Sequence, residues 1–522
     1  MPRRVWLSLG MVATGVALMV AAQLAGAAPE RRGGIFQVGT TGSSVQIDPQ
    51  VAYITTGWWL EYATAAKLYN YRPGGMLVPE VASRFTVSNG GTRYTFFLRK
   101  GFRFSDGTPV TAGSFKYAFE RVIDPALASP AAQFVTNVGS VRAHGMKLVI
   151  DLTSTQGDLI STLAMPFFQA TSTTLPLDRE VTDVRSMADL PTAGPYAFTL
   201  NDADRLTSLR RNPYWTSGPG RVAPRNLAGV DLQWNLNEQT AFEMVKASQL
   251  DEGPLPAAEV ENVANQYGVN RSRFWVEPSS SCISEIAFNN SRGLFHGNAA
   301  MRRGFNWALD RTDYIGAGSF GRTAWTHLLP PGYPGSITKP RLQPYAPTAK
   351  IGKARRIAAG HFKDGRVTVY YRSSGSTNQA QGEKVRRTLI NLGFDPANIT
   401  MKGFAGGDIY EMIGRKGSDF DLAVSLGWCS DYPSSGEAFL PGPFFPNNAK
   451  YRNKIAAALR LKGKARATAL GRLDLEIMRN VAPVAVTNTY NNLYFFSDRV
   501  DPRSLSFHKV YEDWSIPSLA LK

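Results

Sequence analysis

Trp428, Cys429, Asp431 and Tyr432 gather where the local character of the chain changes. Asp421-Leu-Ala-Val-Ser-Leu-Gly427 is apolar and β-prone, the pattern of a buried strand. Pro433-Ser-Ser-Gly436 is turn-forming and ends it. A carboxylate at such a strand end, beside two aromatics and a thiol, costs on the order of several kcal/mol to bury unless a cation or hydrogen bonds compensate. An Asp that opens a loop can instead cap its own backbone. The motif alone leaves both readings open.

Other chemistry is missing. The five histidines, His144, His296, His327, His361 and His508, have no second His or Cys at metal-ligand spacing. There is no G-x-S-x-G elbow and no Walker sequence ending in Gly-Lys-Ser/Thr. Gly316-Ala-Gly-Ser-Phe-Gly321 fits G-x-G-x-x-G in form, but it follows a helical pattern where a dinucleotide site requires a strand. The acids are too scattered to nominate a glycosidase pair. No catalytic residue, metal or cofactor is expected.

The compartment is legible at the N-terminus. Arg3 and Arg4 precede a nearly uncharged, Ala-rich run from Val5 to Leu24, and Ala25-Gly-Ala27 offers an A-x-A cleavage site. Residues 1–27 therefore read as a signal peptide, with a retained membrane anchor as the competing reading. Ala stands where a lipidated Cys would be, so no lipid anchor is expected. The paired arginines also fit twin-arginine export. Cleavage removes two arginines and no acid, lowering the net charge from +17 to +15. Hydrophobic content of 43% and a mean hydropathy of −0.20 fit an ordinary globular protein. The 58 basic residues form no run of five, so nucleic-acid binding, which wants a clustered patch, is not expected. The two cysteines, Cys282 and Cys429, lie 147 residues apart. In an exported chain a disulfide is the favoured reading over two free thiols.

These residues need elements to position them. Strands are expected at Gly33–Val45, Tyr94–Arg99, Phe102–Phe104, Lys147–Leu152, Thr192–Phe198, Leu206–Asn212, Gly229–Trp234, Cys282–Asn289, Val367–Tyr371, Asp421–Trp428, Val484–Tyr490 and Tyr494–Phe496. Helices are expected at Thr55–Asn70, after an N-cap at Thr111, at Thr240–Ser248, Asn298–Ile315, Ala349–Ala359 with Thr348 as N-cap, Gln379–Leu392 and Arg452–Arg479. The α/β alternation is strongest after residue 360.

Four stretches resemble the solute-binding proteins of ABC importers, in the peptide/nickel-type group. They are Leu98-Arg-Lys-Gly-Phe-Arg-Phe-Ser-Asp-Gly-Thr-Pro-Val-Thr-Ala112, Gly194-Pro-Tyr196 with Asn212-Pro-Tyr-Trp215, Asn298-Ala-Ala-Met-Arg-Arg-Gly-Phe-Asn-Trp-Ala-Leu-Asp-Arg311, and Gly427-Trp-Cys-Ser-Asp431. The last is similar to the oligopeptide-binding branch. There an Asp after Trp-Cys holds a peptide α-ammonium and the equivalent cysteines are bridged beside the site.

The resemblance implies an α/β, two-lobed periplasmic-binding-protein (Venus flytrap) fold with an additional domain inserted in the first lobe. Residues 33–71, 192–290 and 490–522 would form the first lobe, 72–191 the additional domain, and 291–489 the other lobe. It further implies ligand contacts from Asp431, Trp428, Cys429, Tyr432 and Phe134, and a Cys282–Cys429 bridge. Ser114 replaces an acidic residue usual at that helix start, an expected small capping loss. Arg415 and Lys416 are the cations nearest the family's carboxylate clamps, and both read as solvated.

The implied function is a monomeric receptor in the periplasm or outside the cell. It would capture a peptide or other small solute by hinge closure and hand it to membrane permease subunits. The same fold binding a sugar, opine or metal chelate, a secreted hydrolase, and a basic nucleic-acid binder are the alternatives.

Overall fold

The computed structural model describes residues 33–42, 45–279, 281–316, 320–373, 376–404, 408–415, 417–433, 435 and 448–522. The expected signal segment, Lys416 and the centre of the Gly316–Gly321 motif lie outside them.

One sheet runs through both lobes. Its order is Ile399–Phe404, Val367–Arg372, Leu422–Cys429, Cys282–Phe288, Val484–Phe496, Glu252–Gly253, Ile35–Gly39, Gly229–Gln233, Leu206–Arg211 and Tyr196–Asp202. Val484–Phe496 is the strand that crosses. Its first half pairs with Cys282–Phe288 and its second with Phe274–Pro278 and Glu252–Gly253. The sequence reading placed two strands here, at Val484–Tyr490 and Tyr494–Phe496. The polar Asn491-Asn492 between them does not end the strand, because Arg322–Ala324 and Phe274–Pro278 continue the ladder across it.

A separate four-stranded antiparallel sheet, Ala82–Ser88, Arg93–Leu98, Lys147–Leu152 and Val138–His144, belongs to the stretch expected as the additional domain. Helix Ala112–Ile123 packs its Phe115, Phe119 and Val122 on it within a core that continues into the first lobe. Thr111 caps this helix, and Ser114 accepts from the Thr111 N–H at 3.2 Å. The capping box is thus completed by Ser114, which corrects the expected capping loss.

Other elements are shorter or divided. Helix Thr55–Thr64 stops six residues before the expected Asn70. The Lys67 N–H donates to buried Glu80 at 2.7 Å, and Tyr69–Tyr71 pairs as a strand with Leu77–Pro79. Phe102–Phe104 forms only an isolated bridge, Arg103 to Pro109. The helix expected over Asn298–Ile315 splits into Ala299–Ala308 and Arg311–Ile315, because Asp310 leaves helical geometry to cap the second piece. Helix Ile351–Ala358 starts after Lys350, not at Thr348. Arg452–Arg479 is two helices, Ala449–Arg460 and Gly463–Asn480.

Candidate functional site at the lobe junction

Strand Leu422–Cys429 is flanked by Cys282–Phe288 along its length, but by Val367–Arg372 only at Leu422 and Ala423. From Val424 onward its other edge has no partner strand among the described residues. A bulge opposite Glu285–Ala287 falls where Ser425 takes φ +61°, and pairing resumes beyond it from Leu426 to Cys429. Cys282 and Cys429 pair in register and are disulfide-bonded.

Alternation along the strand puts Trp428 and Cys429 on opposite faces. Trp428 packs on the second lobe's core beside Ile283. Cys429 Sγ is 3.5 Å from the Tyr490 hydroxyl.

Asp431 is 8% exposed, and the Tyr53 hydroxyl donates to its Oδ2 at 2.8 Å. Tyr53 lies in the stretch expected as the first lobe and Asp431 in the stretch expected as the other lobe, so this hydrogen bond joins segments 378 positions apart. The loop that delivers Tyr53 is anchored from below. Asp48 accepts both terminal nitrogens of Arg121, at 2.7 and 3.0 Å, with both side chains fully buried. Phe134 sits edge-on to Tyr53, ring centres 6.3 Å apart, and stacks on Phe167. Asp431, Tyr53 and Phe134 are therefore one cluster.

Tyr432 turns elsewhere. Its hydroxyl donates to Asp158 Oδ2 at 3.0 Å and lies 3.2 Å from Thr162 Oγ1, both in the stretch expected as the additional domain.

A cavity of about 520 Å³ opens beside the crossing strand, lined by Ser284, Phe320, Arg322, Thr377, Tyr490, Asn491 and Leu493. Arg322 pairs in register with Tyr490 and meets no carboxylate among the described residues. Arg372, at the end of its strand, has a buried Nε without a hydrogen-bond partner among the described residues and lies 5.2 Å from the Tyr410 ring centre. Burial first, then the charge of Glu512, pushes the Tyr490 phenol well above its ordinary range, so it stays a neutral donor. On Cys282–Phe288, Glu285 makes no ion pair among the described residues, and burial pushes it up to about 7. Two further acids, Glu252 and Asp513, lie in the first lobe near Tyr494. Burial raises both, Asp513 to about 7, and the charge of Asp513 raises Glu252 further. Among the described residues no group of three or more His, Cys, Asp or Glu could hold a metal.

The sequence reading named Asp431, Phe134 and the cysteines, and it did not name Tyr53, which meets Asp431, or Arg322, Arg372 and Tyr490. None of those four stands in a motif. Arg415, one of the cations singled out from sequence, is exposed and pairs with Glu411 at 2.5 Å.

The model of the bacterial extracellular solute-binding proteins, family 5 Middle, matches residues 76–450, well over half of the chain. The chain belongs to this family. Like other family 5 members it has curated relatives named as binding proteins. It is 26% identical over 504 residues to the glutathione-binding protein GsiB of Escherichia coli O1:K1 / APEC, covering 91% of each. It is 23% identical over 254 residues to the dipeptide-binding protein DppE of Bacillus subtilis. The chain spans less than half the length of that relative, 44%, and the match takes in 45% of this chain.

Among solved structures, clavulanic acid biosynthesis oligopeptide binding protein 2 superposes with a TM-score of 0.80 at 20% identity, covering 94% of this chain and 96% of that one. The binding protein AgaA from A. tumefaciens R10, in complex with agropinic acid, gives 0.76 at 18% identity, covering 94% and 99%. These place the two-lobed α/β fold of family 5 on this chain. No helix among the described residues is long and apolar enough to cross a membrane.

Proposed function

We propose that this protein captures a zwitterionic solute, an oligopeptide or a close chemical relative, between its lobes and delivers it to an ABC permease. The observation that carries this is a nearly buried carboxylate, Asp431, just past a strand whose outer edge from Val424 onward has no partner strand among the described residues. An extended peptide adding to that edge would satisfy backbone N–H and C=O groups whatever its side chains, which gives affinity without strict sequence choice. Asp431 would accept the ligand ammonium beside its bond from Tyr53, since a carboxylate offers about four lone-pair sites. Phe134 and Tyr53 would wall that end. Arg322 would meet the ligand's carboxylate in the neighbouring cavity. The disulfide would hold the floor beneath, and Trp428 would support the strand from behind. The protein would work outside the cytoplasmic membrane, as a receptor and not as an enzyme, after cleavage near Ala27.

A second reading has one observation behind it, the superposition on a structure holding agropinic acid. A small solute with both an amine and carboxylates would use the same Asp431 and Arg322. Mass spectrometry of material released from protein purified from its own host tests both. A mixed set of short peptides is expected. A single non-peptide zwitterion would favour the second reading, and a neutral sugar would overturn the zwitterion proposal.

A further inference from the structure

The contacts of Tyr432 carry an inference about closure. Asp158 lies in the additional domain, and Tyr432 and Arg466 in the second lobe. Arg466 Nη2 meets Asp158 Oδ2 at 2.6 Å, with side-chain exposures of only 4% and 14%. The same Oδ2 accepts the Tyr432 hydroxyl at 3.0 Å. Arg466 is held in place by donating from Nη1 to Leu459 O at 2.6 Å. Thr162 Oγ1 completes the shell of the Tyr432 hydroxyl at 3.2 Å. Beside this shell the two bodies touch backbone to backbone. A Cβ added at Gly157 would lie 3.0 Å from Leu461 O and 3.4 Å from Leu459 O, so glycine is what permits the approach. The Tyr432 ring also packs within the core that the first lobe and additional domain share.

We propose that Asp158, Tyr432 and Arg466 form an ionic latch that fastens the additional domain to the second lobe and sets the lifetime of the closed state. A desolvated ion pair supports closure strongly only when both partners keep their hydrogen bonds, and here each does. If either lobe swings away, Asp158 and Arg466 return to water, so opening is not opposed by a stranded charge. The latch adjoins the candidate ligand carboxylate, because Tyr432 follows Asp431 directly and Ser430 Oγ donates to Tyr432 O at 2.7 Å. A ligand that fixes Asp431 would therefore also fix the backbone that aims Tyr432. This second half rests on the proposed role of Asp431; the latch itself does not. Tyr432 is thus assigned as a positioning residue acting through Asp158.

Cross-linking in the ligand-free protein tests the latch without any ligand. Thr155 and Arg460 both line the small cavity at this junction. Cysteines placed there are joined by a short bis-maleimide only when the two bodies meet. Arg466→Met and Tyr432→Phe are each expected to slow cross-linking at least about tenfold, the lower end for a lost hydrogen bond to a charged group. Gly157→Ala, which wedges the contact without touching a charge, is expected to slow it as well. Circular dichroism and unfolding midpoints confirm that each variant is folded. Should Arg466→Met misfold, the exchanged pair D158R/R466D is measured instead, and it is expected to cross-link faster than D158R alone. Rates equal to the parent's in both Arg466→Met and Tyr432→Phe would overturn the latch. So would an exchanged pair no faster than D158R. Failure of the protein to bind any peptide would touch only the proposed function.

Discussion

At the scale of single residues, three side chains make separable predictions. Asp431 is nearly buried and would pair there with the ligand ammonium, and truncating one partner of such a desolvated charge pair costs roughly 2–5 kcal/mol. Titration calorimetry of Asp431→Ala with a peptide that the parent binds should show affinity lowered at least about tenfold. Unchanged affinity would take Asp431 out of the site.

Glu61 is buried, accepts from Gln169 Nε2 at 2.6 Å and is pushed up to about 8, chiefly by burial. Its folded pKa lies above its unfolded one. The stability it contributes is complete below about pH 4.5 and is lost as pH rises through 8. Glu61→Gln should unfold in urea like the parent at pH 5 but be the more stable of the two at pH 9.

His508 behaves oppositely. Its Nε2 donates to Tyr71 O at 3.1 Å, and burial lowers it to about 3. Its contribution is present above about pH 6.5 and lost as pH falls toward 3. His508→Gln should lose less stability than the parent between pH 6.5 and 4, read from urea midpoints.

At the scale of elements, two cross-ties hold the site's supports. Asp48 and Arg121 fasten the loop that carries Tyr53 to the helix Ala112–Ile123 of the additional domain. Arg121→Met leaves Asp48 buried without its cation. It should cost about 3–5 kcal/mol in urea unfolding, against about 1 kcal/mol for Thr111→Ala at the cap of the same helix. The disulfide closes a loop of 147 residues between the open-edged strand and its neighbour. By loop-closure entropy its removal should lower stability by about 4–5 kcal/mol, less if the reduced chain keeps residual structure. Denaturation of the Cys282→Ala/Cys429→Ala double variant checks it.

At the scale of the whole molecule, the proposed site would link ligand binding to closure, because its residues come from both stretches expected as lobes. A ligand at a hundred times its dissociation constant should stabilise the protein by about 2.7 kcal/mol. Screening peptides by thermal shift is therefore a practical route to the ligand. The crossing strand Val484–Phe496 and the paired segments Phe274–Pro278 and Cys282–Phe288 tie the lobes within one sheet. On the proposed function, closure would turn about these segments and would make or break the contacts of Tyr53, Tyr432 and Arg466.

Local pattern sufficed for much of this molecule. The strand ending in Trp428-Cys429, the helix after Thr111 and the Cys282–Cys429 pair were legible because periodicity, a cap and a pair of cysteines are written in neighbouring letters or in a count of two. So was the family, through four motifs of fixed spacing. Only the tertiary structure decided the rest. Tyr53 reaches Asp431 across 378 positions of sequence, and Arg466 reaches Asp158 across 308. No periodicity encodes a meeting between two lobes. The break of one helix at Asp310 and the continuity of one strand through Asn491-Asn492 were hidden for a related reason. A side-chain cap in the first case and a neighbouring ladder in the second outweighed the intrinsic preference of the residues concerned.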